Sequence, residues 1–186
     1  YTTFLTETAS VTAKEFGRDD VKVAVQVENT GAASGKEVVQ VYVSAPQGKL
    51  GKAARSLCGF AKTRTLSPGE KQEVMIEIPA YYLASYDDAG ITGHKSAYVL
   101  EAGTYGFYVG TDVRAAALAA EFDLDELIVL EQLEEAMAPT QDFDVLKPKA
   151  ARGGEPKDLK GEGRLSPYEE EHVPVATRTI DLAGRV

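Results

Sequence analysis

Residues 21–44 read VKVAVQVENTGAASGKEVVQVYVS, and the period of this stretch decides the fold. Val21, Val23, Val25 and Val27 alternate with Lys22, Ala24, Gln26 and Glu28. After a polar interval, Val39, Val41 and Val43 alternate with Gln40, Tyr42 and Ser44. Successive side chains of a strand point to opposite faces, so each run describes a strand with one buried and one wet face. Between the runs, Asn29-Thr30-Gly31 and Ser34-Gly35 carry turn chemistry: the Asn side chain bonds its own backbone, and glycine reaches positive φ without cost.

The same period recurs outward from this stretch. Val74, Ile76 and Ile78 alternate with Glu73, Met75 and Glu77, and Tyr105, Phe107 and Val109 with Gly106, Tyr108 and Gly110. Phe4 to Val11 and Ser56 to Leu66 supply additional strands. Ser67-Pro68-Gly69-Glu70, Asp87-Asp88-Ala89-Gly90 and Glu101-Ala102-Gly103 stand where strands must be joined. No helical pattern of about 10 to 15 residues separates the strands, which argues against a parallel α/β sheet. The expectation is an all-β chain: an immunoglobulin-like sandwich of antiparallel sheets with an extended, partly irregular C-terminal tail.

After Gly110 the composition changes. Ala115 to Ala120 is alanine-rich, Glu121 to Leu130 reads equally as one last strand or the start of a helix, and Glu131 to Met137 favours helix. From Pro139 to Pro174 Lys, Glu, Gly and Pro dominate, a composition with too little apolar surface to offset its ordering entropy, and this segment reads as a linker. Ile180, Leu182, Ala183 and Val186 resume a helix-like spacing. The domain reading is therefore a sandwich over 1–114, a final strand or helix extension over 115–138, a linker over 139–179 and the start of a following domain at 180–186. A start at Tyr1 rather than Met leads us to expect a piece of a longer polypeptide.

The 186 residues include 29 acidic and 20 basic side chains, a net charge of −9, and 44% are hydrophobic. That apolar content supports a real core, and a pI near 4.8 opposes binding to nucleic acid or anionic membranes. Apolar runs are far shorter than the ~20 residues a spanning helix needs. The single cysteine, Cys58, forms no internal disulfide, and with the acidic pI it leans the expectation toward the cytoplasm.

The search for chemistry comes out nearly empty. His94 and His172 are the only histidines and stand far apart, so no metal or other cofactor is expected. No G-x-S-x-G elbow occurs. Gly31-Ala32-Ala33-Ser34-Gly35-Lys36 has three residues between its glycines where a phosphate loop needs four, and Glu37 follows where Ser or Thr should stand. Asp87-Asp88 is an adjacent carboxylate pair, but Asp shortly before Gly is ordinary turn composition. Glu169-Glu170-Glu171 reads as a solvated face. Cys58, between Leu57 and Gly59-Phe60, reads as a small core residue. Tyr81, Tyr82 and Tyr86 form an aromatic group that suits interdomain packing better than a sugar platform.

The motifs NTG (29–31), GKEVVQVYV (35–43), GF (59–60), PGE (68–70), SYDD (85–88), EAG (101–103) and YVG (108–110), occurring in this order, closely resemble the fibronectin type III-like domain of glycoside hydrolase family 3 enzymes, chiefly β-glucosidases. The resemblance covers about residues 1–114. Where commoner members carry an aromatic-rich strand after the SYD turn, this chain has Thr92-Gly93-His94-Lys95-Ser96-Ala97-Tyr98, which is similar to the subgroup whose α/β sandwich comes first and whose (β/α)8 barrel comes last. The roughly seventy residues after the module, ending in a segment that resembles the approach to the barrel's first helix, agree with that order.

The resemblance implies a retaining β-glucosidase as the parent protein, with its aspartate nucleophile on the barrel and its acid/base carboxylate elsewhere, neither within these residues. It implies a non-catalytic module packing the α/β sandwich against the barrel and meeting glucoside only through the parent. A homo-oligomer is compatible with this. Loops 47–52 and 93–96 are the candidates for neighbour contacts or the rim of the catalytic cleft, and Lys49, Lys52, Arg55, His94 and Lys95 are the candidate residues. The alternative is an independent glycan- or protein-binding immunoglobulin-like module acting through its tyrosines.

Overall fold

The structure, a computed structural model, describes residues 1–134, 141, 143–148 and 168–173. The chain divides into two compact units, Tyr1–Leu133 and Glu134–Val186.

The first unit is all-β. Its strands are β1 (Phe4–Thr12), β2 (Val21–Asn29), β3 (Val38–Ser44), β4 (Ser56–Lys62), β5 (Lys71–Ile78), β6 (Ser85–Asp87), β7 (Ala97–Leu100), β8 (Gly103–Gly110), β9 (Ala117–Leu124) and β10 (Ile128–Gln132), with a 3-10 turn at Ala80–Leu83. They form three antiparallel sheets, ordered β1-β2-β5, β4-β3-β8-β9 and β10-β7-β6. The order leaves β4 and β5 as edges of their sheets, each hydrogen-bonded on one side only.

The alternating valines explain why these sheets face each other. Val21, Val23, Val25 and Val27 of β2 and Val39 and Val41 of β3 are fully buried, together with Tyr105 and Phe107 of β8 and Leu100 of β7. At about 25 cal/mol per Å² of apolar surface removed from water, each such side chain contributes about 1.5–3 kcal/mol. Phe16, in the connection between β1 and β2, stacks on Phe122 of β9 with ring centroids 5.0 Å apart and lies edge-on to Phe107 at 6.1 Å. It closes the β1/β9 side of the core. Among the described residues no buried side-chain nitrogen or oxygen lacks a partner. The first unit thus encloses a core of its own.

The stretch left open between strand and helix is strand: β9 pairs with β8 and β10 with β7. Glu131 and Gln132, in the segment expected to favour helix, instead end β10 opposite Tyr98 and Ala97. Helix propensity amounts to a few tenths of a kcal/mol per residue, and a waiting strand edge overrides it. Within the stretch assigned to a linker, β11 (Phe143–Pro148) and β12 (Tyr168–Val173) pair antiparallel, and the Glu169–Glu171 run lies on β12. Apart from Gln141, the rest of that stretch and the helix-like spacing at 180–186 lie outside the described residues.

Candidate interdomain surface

The loop after β3 is folded onto the β7–β8 turn by one carboxylate. Glu101, only 6% exposed, accepts the backbone N–H of Lys49 at 2.7 Å and that of Leu50 at 3.3 Å. Its own carbonyl accepts the hydroxyl of the buried Tyr105 at 2.9 Å. Burial, reinforced by the Glu101 charge, pushes the Tyr105 phenol up to about 12. Gly48 passes so close, at φ +51°, that a Cβ there would fall 2.3 Å from the carboxylate. Gly103 lies under Pro46 in the same way.

This anchoring places the two loop lysines differently. Lys49 is exposed and presents its side chain from a backbone held by Glu101. Lys52 is half-buried and donates its ammonium to the Ser85 hydroxyl of β6. Desolvation lowers its pKa, and the nearby Glu101 charge opposes that effect. Arg55 stands apart: its guanidinium lies 3.9 Å above the Tyr108 ring and donates to the carbonyl of Val113 at 2.9 Å, pinning the β8–β9 connection. It is a packing residue of this unit, with the cation over the negative face of the ring.

His94 is exposed and Lys95 half-buried in the loop between β6 and β7. That loop is built on Asp87. Its carboxylate is fully buried and accepts the N–H groups of Gly90, Ile91 and Thr92 at 2.7, 2.9 and 2.7 Å and the Thr92 hydroxyl at 2.6 Å. Burial alone would raise its pKa, but the bonds from Thr92, Ile91 and Gly90 outweigh it and hold the carboxyl below the usual range. Asp88 is exposed. The two carboxylates therefore face different surroundings, one spent on turn geometry and one in water, and do not form a catalytic pair.

Lys49 and Lys52 share the Glu101-anchored loop, whereas Arg55 and the His94–Lys95 pair belong to two other local networks. Of the aromatic group, Tyr81 and Tyr86 come together around Tyr98 of β7, with ring centroids 4.7 Å and 5.1 Å from it, whereas Tyr82 lines a groove beside β4 and β5. Tyr81 and Tyr86 are half-exposed, with their rings tilted against Tyr98. The hydrogen bond with Tyr98 pushes the Tyr81 phenol up to about 12. Cys58 is buried with its thiol donating to the Val41 carbonyl at 3.3 Å, and burial pushes it up to about 12. It sits at a bulge, where Val41 faces Gly59 and Tyr42 faces Leu57. Among the described residues no group of three or more His, Cys, Asp or Glu side chains is placed to hold a metal.

An antiparallel sandwich without a catalytic constellation among its described residues, its polar side chains spent on fixing loops, defines the class. Residues 37–113 match the family of the fibronectin type III-like domain. The proteins similar to this chain include β-glucosidases. Over 125 residues, 67% of this chain, it is 55% identical to a β-glucosidase of Ruminococcus albus, of which it covers 13%. It is 45% identical over 153 residues to β-glucosidase A of Butyrivibrio fibrisolvens, covering 75% of this chain and 18% of that one. The crystal structure of a β-glucosidase from Paenibacillus barengoltzii superposes on the whole chain with a TM-score of 0.81 at 45% identity, and this chain covers 20% of it. The chain thus spans no more than a fifth of the length of these relatives.

Proposed function

We propose that the chain is the non-catalytic fibronectin type III-like module of a family 3 glycoside hydrolase of the β-glucosidase type, a retaining enzyme removing terminal β-D-glucosyl residues. The module packs the α/β sandwich domain against the (β/α)8 barrel, in the order with the barrel last. The observation that carries this reading is the match of this chain to one fifth of a β-glucosidase structure at 45% identity and a TM-score of 0.81. Burying apolar surface on both neighbours fixes their relative position, and the catalytic cleft depends on that position. The anchored loop 47–52 and the Asp87-built loop 88–96 present Lys49, Lys52, His94 and Lys95 as contacts to those neighbours, the partners being intramolecular.

The test is the intact mass of the natural polypeptide carrying this segment and its activity on an aryl β-glucoside. A species several times heavier than 20.0 kDa that hydrolyses the glycoside is the expected result. A natural 20.0 kDa species without activity overturns the reading.

A further inference from the structure

An apolar groove lies between two sheet edges of the module. It runs between β4 and β5, with a volume of about 500 Å³. Its floor is Gly59 and Ile76, and its rim is Leu57, Phe60, Met75 and Tyr82. The rim residues are 52%, 68%, 53% and 66% exposed. Gly59 makes the close approach of the sheets possible, because a Cβ there would stand 2.8 Å from Ile76 Cγ2. Leu57, Phe60 and Met75 face water along two edge strands, with Tyr82 of the 3-10 turn beside them, and such a surface invites aggregation unless something covers it.

We propose that this groove is the docking face for the remaining polypeptide of the parent β-glucosidase, an apolar surface of its other domains lying along β4 and β5; this rests on the function proposed above. The P. barengoltzii enzyme holds the same fold within a chain five times as long, so about four times this chain's length is tethered to it there. Tethering presents a neighbour at an effective concentration of about millimolar, which a separate partner or second copy does not reach. The opposite edge of the β1-β2-β5 sheet differs: β1 exposes Leu5 but is backed by the Phe16–Phe122 closure.

Peroxide oxidation of Met75, followed by mass spectrometry, reads the groove directly, since thioether reactivity follows exposure. In the full-length parent Met75 should oxidise at least about tenfold more slowly than in the 186-residue chain, whose first unit closes its own core. Phe60→Asp should lower the temperature at which the parent loses activity, and Leu5→Asp should leave it unchanged. Equal oxidation of Met75 in an active parent overturns the docking face and leaves the functional reading standing. A parent inactive on aryl β-glucosides overturns the functional reading instead. Protection in the isolated chain that grows with its concentration assigns the groove to a second copy and overturns the proposal.

Discussion

The Glu101 carboxylate accepts the backbone N–H of Lys49 at 2.7 Å across 52 positions of sequence. A charged, nearly buried acceptor bonded to two amides is worth about 2–3 kcal/mol, because its removal leaves those donors without a partner in a poorly solvated place. Glu101→Ala should therefore destabilise the chain by about 2 kcal/mol and speed amide hydrogen exchange of residues 47–52, while that of β2 changes little. The same variant should lower the Lys52 pKa further, since it removes the charge that opposes desolvation. A nitrogen-detected titration of Lys52 checks this.

Gly48→Ala and Gly51→Ala separate two costs. Both glycines have positive φ, +51° and +67°, but a Cβ at 48 strikes the Glu101 carboxylate whereas a Cβ at 51 meets nothing within 4 Å. Gly51→Ala should lose about 1 kcal/mol, the penalty of left-handed backbone. Gly48→Ala should lose more and should release the loop in the same exchange experiment.

The Asp87 loop should be acid-sensitive. The folded-state pKa is depressed below the usual carboxylate value, so its contribution is fully present above the unfolded pKa of about 3.9 and disappears as pH falls through the lower folded value. Asp87→Asn should weaken the chain at pH 7 and flatten the decline of stability below pH about 4, as measured by chemical denaturation across pH.

Asn29 ties the β2 end to two turns: its amide donates to the carbonyls of Ala33 and Leu66, both at 2.8 Å, and its side-chain oxygen accepts the Thr2 hydroxyl and the Gly31 N–H. Asn29→Ala should cost about 3 kcal/mol, readable as a loss of melting temperature.

Much of this fold was legible in the alternation of valines, because a period of two with turn residues between the runs has one physical meaning. Asp87 was legible as a turn residue for the same local reason. Glu101 was legible only as part of a turn, since its partner amides lie 51 and 52 positions away and backbone donors leave no mark in the sequence. Phe16 is a lone aromatic between polar residues, and nothing nearby says that it stacks on Phe122. The bulge at Cys58 and the strand ending at Gln132 depend on tertiary pairing, which local periodicity does not carry. The interdomain candidates were picked as polar loop residues; Arg55 proves to serve its own sheet through Tyr108, and the exposed apolar rim at Leu57, Phe60 and Met75 fell within runs read only as strands.

The proposed function requires that this module have neither a catalytic centre nor a sugar site of its own. Calorimetric titration of the 186-residue chain with an aryl β-glucoside, with released phenol monitored in the same cell, tests it most directly. The account predicts no saturable heat and no phenol; saturable binding at the tyrosine group, or hydrolysis by the isolated chain, would contradict it.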